Sequence, residues 1–123
     1  MANSLVTLPY PGEQSIRLNE ASMDTFATAM KDIDYGATTL LSIRAQVASG
    51  SDFLMVYDDI NPALGTTVPD FQFPTGVETQ IYVASGITFT NGISFTVANV
   101  GGTVCSGNPT ATNTITLLSE PSS

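Results

Sequence analysis

Histidine and tryptophan are absent from this chain, cysteine occurs once, and lysine and arginine together supply three residues against eleven Asp and Glu. Each shortage removes a class of chemistry. Without histidine, Ser-His-Asp and Cys-His nucleophile arrangements are excluded, as are zinc sites built on His or Cys clusters. The lone Cys105 cannot close an internal disulfide. With no base beside it in sequence, it reads as a small apolar loop or core residue and not as a reactive thiol. Only Arg17, Lys31 and Arg44 are positive, and the formal net charge is −8. That balance argues against nucleic acid, whose phosphates need Lys and Arg, and against an anionic membrane surface. No run approaches the roughly 18 apolar residues of a membrane helix. No Gly-x-Gly-x-x-Gly or Walker loop occurs. The opening "MANSLVTLPYPG" has neither a basic region nor a long apolar run, so a secretory signal is not expected. Synthesis in a cytoplasm is.

What remains is a chain of 123 residues, one domain by size. Charged residues make up only 11% of it, so its acidity is not that of a disordered tail. About a quarter of the residues are Ser or Thr, well above ordinary usage. Together these imply hydroxyl- and amide-clad surfaces over an apolar core.

Residues 1–15, with Pro9, Pro11 and Gly12, lack a clean period and read as an extended arm, with a short strand at Leu5–Leu8. In "NEASMDTFATAMKDIDYG", Met23, Phe26, Met30 and Ile33 are spaced three, four and three. That spacing predicts one short helix, capped by Asn19 and ended by Gly36. From Ala37 the period becomes two. Thr39, Leu41, Ile43, Ala45 and Val47 share one face, and Leu40, Ser42, Arg44 and Gln46 the other. "DFLMVYD" is apolar on both parities and reads as a strand covered on both faces. Further strands are expected at Asp70–Phe73, Glu78–Val83, Gly86–Thr90, Ile93–Ala98 and Asn113–Leu118. Short strands separated by turn signals predict an all-β fold: a β-sandwich or jelly roll of about seven or eight strands over residues 16–123, with the N-terminal arm and at most one short helix.

The stretch "GITFTNGISFTV" holds one parity through Asn91-Gly92: Ile87, Phe89, Ile93, Phe95 and Val97 are apolar, and Thr88, Thr90, Ser94 and Thr96 carry hydroxyls. A two-residue hairpin loop would set apolar against polar across the ladder. Two solutions keep the parity: a three-residue Thr90-Asn91-Gly92 loop pairing Phe89 with Ile93, which is favoured, or one strand kinked at Gly92. Both bury the apolar set and turn the hydroxyls outward.

Chemistry is scarce. In "YDDIN", Asp58, Asp59 and Asn61 form a candidate calcium site, since calcium takes carboxylate and carbonyl oxygens. The spacing is not that of an EF-hand, and Asn61-Pro62 favours a self-capping turn. A glycosidase pair drawn from Asp58, Asp59, Asp70 and Glu78 would need a cleft. Sugar-stacking Trp is absent, and Tyr10, Tyr35, Tyr57 and Tyr82 read as core-edge residues. No enzyme activity and no cofactor are expected.

The elements Tyr57-Asp58, Gly65-Thr66 through Pro69, Phe71-Gln72-Phe73-Pro74 and Gly86 to Phe95 follow one another in a pattern. It resembles a family of small β-sandwich proteins found among the structural genes of tailed bacteriophages, and it spans about Leu40 to Asn99. The resemblance implies a virion structural protein, either a head decoration (cement) protein or a tail, neck or fibre component, and it brings no catalytic residues. A decoration protein would sit on the outer capsid surface and bind the major capsid protein as a homo-oligomer, with a trimer expected. It would touch no nucleic acid and no membrane. The arm residues Leu5, Val6, Leu8 and Tyr10, apolar with no partner evident in sequence, are the expected interface. A carbohydrate-binding adhesion module is the alternative of a different class.

Overall fold

A computed structural model describes residues 3–9, 16–47, 52–76, 79–102 and 105–121. They form eight strands: β1 (Ser4–Pro9), β2 (Arg17–Met23), β3 (Thr38–Val47), β4 (Phe53–Asp58), β5 (Phe71–Pro74), β6 (Thr79–Phe89), β7 (Ile93–Ala98) and β8 (Asn113–Pro121). Two antiparallel sheets result, one of five strands in the order β1-β2-β8-β3-β6 and one of three in the order β5-β4-β7. The all-β sandwich is thus the observed fold.

The core lies between the sheets. Ala21, Met23, Leu40, Ile43, Phe89, Ile115 and Leu117 from the larger sheet meet Leu54, Val56, Ile93, Phe95 and Val97 from the smaller. Phe71 packs edge-on to Phe89 at 5.7 Å, which sets β5 beneath β6. The "DFLMVYD" strand is central, as its double parity implied. Leu54 and Val56 enter this core, while Met55 and Tyr57 enter a second cluster with Ala98 and Cys105 on the far side of the small sheet. Loops carrying Phe26 and Leu64 cover that second cluster.

Four expectations need correction. First, no helix occurs among the described residues. The start of the expected helix is β2, with Asn19, Ala21 and Met23 inward and Glu20 and Ser22 outward. Strand wins because β2 is sandwiched, pairing with β1 on one side and β8 on the other; tertiary pairing outweighs a local spacing signal. Met23, Met30 and Ile33 do reach the main core, and Phe26 the second cluster, but the last three do so from an irregular segment. Second, Thr90-Asn91-Gly92 is neither a hairpin loop nor a kink. The chain crosses there from one sheet to the other: β6 pairs with β3, and β7 with β4. Phe89 and Ile93 still share the core because the two sheets face each other.

Third, β7 is buried on both faces. Thr88 and Thr90 are exposed, but Ser94 and Thr96 are fully buried. The segment after β2 runs along β7: Met30 and Phe95 exchange backbone hydrogen bonds of 2.9 Å, and Ile33 N–H donates to Ile93 O at 3.1 Å. Thr96 Oγ1 donates to Phe26 O at 2.8 Å, and Ser94 Oγ accepts from Asp32 N–H at 2.9 Å. The hydroxyls therefore satisfy the backbone of a covering loop instead of meeting water. Fourth, a register shift between Leu40 and Ser42 makes Leu41 a bulge. Parity reverses there, so Leu40 faces inward with Ile43, Ala45 and Val47. On β6, Gly86 (φ +78°) sits across from this bulge, where a Cβ would stand 2.4 Å from Thr39 Cγ2.

The arm's described residues are extended and hydrogen-bonded within the chain. β1 runs in register with β2 from Ser4↔Ser22 to Pro9↔Arg17. Asn3 ties the strand's start to the next loop, accepting from the N–H groups of Asp24 and Thr25 and donating to Thr25 O.

Candidate functional site

Two acidic residues that look like loop residues in sequence are buried network centres. Asp52 is fully buried, accepting from Thr110 N–H (2.8 Å), Thr110 Oγ1 (3.0 Å) and Asn113 Nδ2 (2.9 Å). At the opposite end, Asp34 accepts from Thr38 Oγ1 and Ser119 Oγ at 2.8 Å each, with Arg17 Nη1 at 3.8 Å. Ser119 in turn accepts from buried Asn19, which accepts from Thr7 Oγ1. Both carboxylates close the ends of the sandwich, where inward strand positions run out of apolar neighbours. Asp52 is hydrogen-bonded through both carboxylate oxygens, which makes its burial tolerable, whereas Asp34 takes both of its hydrogen bonds on Oδ2 and leaves Oδ1 only the Arg17 guanidinium.

The Asp34 end carries the most distinctive surface. Asp58, at the end of β4, caps the crossover: its carboxylate accepts from the N–H groups of Thr90 (3.3 Å), Asn91 (2.9 Å) and Gly92 (3.4 Å). Its own N–H donates to Asp70. Asp59 Oδ1 accepts from Asn61 N–H at 2.8 Å, and Asn61 Oδ1 accepts from Lys31 Nζ at 2.8 Å. The three candidate calcium ligands are thus each engaged in contacts within the protein. Among the described residues, no three His, Cys, Asp or Glu side chains gather at metal-binding range.

Three loops converge on Gly92, where a Cβ would lie 2.8 Å from Asp32 Oδ1, 3.1 Å from Ile60 Cγ2 and 3.4 Å from Gly36 O. Beside it, Asp32 and Tyr35 both hold positive φ, at 48° and 55°. The Asp32 side chain closes this turn on Gly36 N–H at 2.7 Å. The turn lifts Tyr35 into solvent at 88% exposure, with Ile60 (53%) and Val68 (56%) exposed on the loop between β4 and β5. Tyr35 is therefore not a core-edge residue, and Tyr57 is fully buried. A cleft of about 430 Å³ adjoins the tip, lined by Phe26, Lys31, Asn61, Pro62 and Leu64 among others.

Of the expected interface residues, Leu5 is half-buried against the core and Val6 is exposed. Leu8 pairs through its backbone with Leu18. Tyr10 lies outside the described residues. Cys105 is buried, with its sulfur 3.5 Å from Tyr57 Oη. Burial first, and the thiol beside it second, push the Tyr57 phenol well above its ordinary pKa. The tip itself was invisible to periodicity. Its one sequence signal is the pair Asp-x-Asp-Tyr-Gly and Tyr-Asp-Asp-Ile-Asn, turn residues holding large apolar side chains between them.

No family model, curated protein or solved structure matches this chain.

Proposed function

We propose that this protein is a non-catalytic structural component of a virion, binding the outer capsid surface and stabilising the shell by adding interface. The observation that carries the reading is the tip, where Tyr35, Ile60 and Val68 stand in solvent while the carboxylates around them are committed to capping backbone. Such an arrangement suits contact. Exposed aromatic and aliphatic anchors supply interface energy, and carboxylates already engaged with backbone are poorly placed to move protons. The resemblance to phage β-sandwich proteins points to the same class. A net charge of −8 favours the outer face of the shell, away from packaged DNA.

The test is addition of purified protein to undecorated capsids, imaged by cryo-electron microscopy. Density on the outer lattice, reduced by Tyr35→Ala or Ile60→Ser, supports the reading, as does a higher breakage temperature of decorated particles. Density confined to the tail or fibres moves the protein to those structures. A carbohydrate-binding role has less support: among the described residues the tip offers one exposed ring, not a row of them.

A further inference from the structure

The two sheets have four edge strands between them, and three carry a device that blocks pairing with another chain. The β7 edge is covered by Met30 and Ile33. β6 is interrupted across from the Leu41 bulge, at Gly86. β5 is four residues long and ends in Pro74. Bulges, short strands and covering loops are the usual protections of an edge. β1 has none of these along its length. It is six residues long, regular in register with β2, uncharged throughout, and carries proline only at its last position. Among the described residues no strand pairs with its outer edge, whose backbone N–H and C=O groups are a template for another strand.

The side chains agree. Leu5 shares a face with Ala21, and Thr7 with Asn19, so both point toward the sandwich interior. Yet Leu5 is only half-buried and Thr7 is exposed. The inner face of β1 is thus incompletely covered.

We propose that β1 pairs antiparallel with β1 of a second copy, joining two five-stranded sheets into one across a two-fold axis. Charge selects this occupant. Two chains of net charge −8 repel each other, and contact is cheapest where carboxylates are fewest; residues 3–9 carry none, and the carboxylate beside Val6, that of Glu20, stands one strand back from the edge. An open edge is also self-complementary under a two-fold operation. Parity then fixes the register. Opposed residues share a face, so the axis must fall on a residue and not between two. Centred on Val6, it pairs Ser4 through Leu8 and sets Leu5 against Thr7. Centred on Thr7, it would recruit Pro9, which has no N–H to give. The unit is thus a dimer, whether or not the protein decorates a capsid.

Sedimentation equilibrium of the purified full chain tests this. The expected mass is twice the 12.9 kDa of one chain. Val6→Lys and Val6→Glu each place like charges face to face at an exposed position. Each should weaken dimerisation tenfold or more while leaving the circular dichroism spectrum unchanged, and mixing the two should restore a mixed dimer. Amide exchange at β1 should slow as wild-type concentration rises. A wild-type monomer at about 100 μM, where a micromolar dimer would be nearly complete, would overturn the proposal. So would dimers or trimers insensitive to both substitutions.

Discussion

Asp58→Ala tests what the acidic loop is for. The substitution removes the acceptor for three backbone N–H groups at the crossover, one of them at 2.9 Å and two longer. The geometry is that of a side-chain cap on exposed N–H groups, and losing such a cap costs about 1–2 kcal/mol. The site's partial exposure limits the loss, since water can replace part of what the carboxylate supplied. A domain of this size loses roughly 3–5 °C of melting temperature per kcal/mol, so the expected drop is about 3–10 °C. Asp58→Asn keeps one acceptor oxygen for Asn91 and should lose about half as much. Differential scanning calorimetry with and without millimolar calcium separates capping from metal binding. A bound ion at a hundredfold excess over its Kd would add about 2.7 kcal/mol; the expected calcium effect is nil, for wild type and variant alike. A calcium-dependent rise in wild type that vanishes in Asp58→Ala would refute the capping argument, as would an Asp58→Ala protein as stable as the parent.

Three further outcomes follow from the packing. Phe95→Ala should cost about 3–5 kcal/mol and Thr88→Ala almost nothing, while Thr96→Ala should cost about 1 kcal/mol because it removes the donor to the part-buried Phe26 carbonyl; urea unfolding ranks the three. Gly86→Ala combines a left-handed backbone penalty of about 1–2 kcal/mol with overpacking of about 1–3 kcal/mol against Thr39, and in a double-mutant cycle Thr39→Ala should recover the second part only. The Tyr57 phenol ionises less readily in the folded protein than in the unfolded chain. Its stabilising contribution is therefore complete below the ordinary tyrosine pKa of about 10 and is lost as pH rises above that value; Tyr57→Phe should flatten the alkaline limb of a stability-versus-pH curve.

Fold class was legible because period-two patterning survives from Ala37 onward, and burial on one parity follows whichever strand a residue pairs with. That is why Phe89, Ile93, Phe95 and Val97 could be placed in the core without knowing the topology. Sheet membership was not legible. Parity says which face a residue occupies but not which neighbour its strand takes, so a hairpin and a crossover between facing sheets leave the same pattern. β2 was hidden because the spacing of Met23, Phe26, Met30 and Ile33 mimics a helix while serving a strand and a loop. Leu41 was hidden because a single bulge residue inverts every parity before it. The tip depends on three loops distant in sequence meeting at Gly92. Local pattern could flag each as a turn but could not bring Tyr35, Ile60 and Asn91 to one end.

The position of β8 has a kinetic consequence. It is the last strand in sequence, yet it lies in the middle of the larger sheet, between β2 and β3. The buried contact from Asn19 to Ser119 spans 100 positions. Until β8 has been synthesised, the β1-β2 ribbon has nothing to join, and the growing chain holds open edges on both β2 and β3. The larger sheet therefore cannot be completed in the order in which its strands are synthesised. It closes late and all at once, with the slow rate of a fold dominated by distant contacts. During that wait the nascent chain is most open to pairing with the wrong partner.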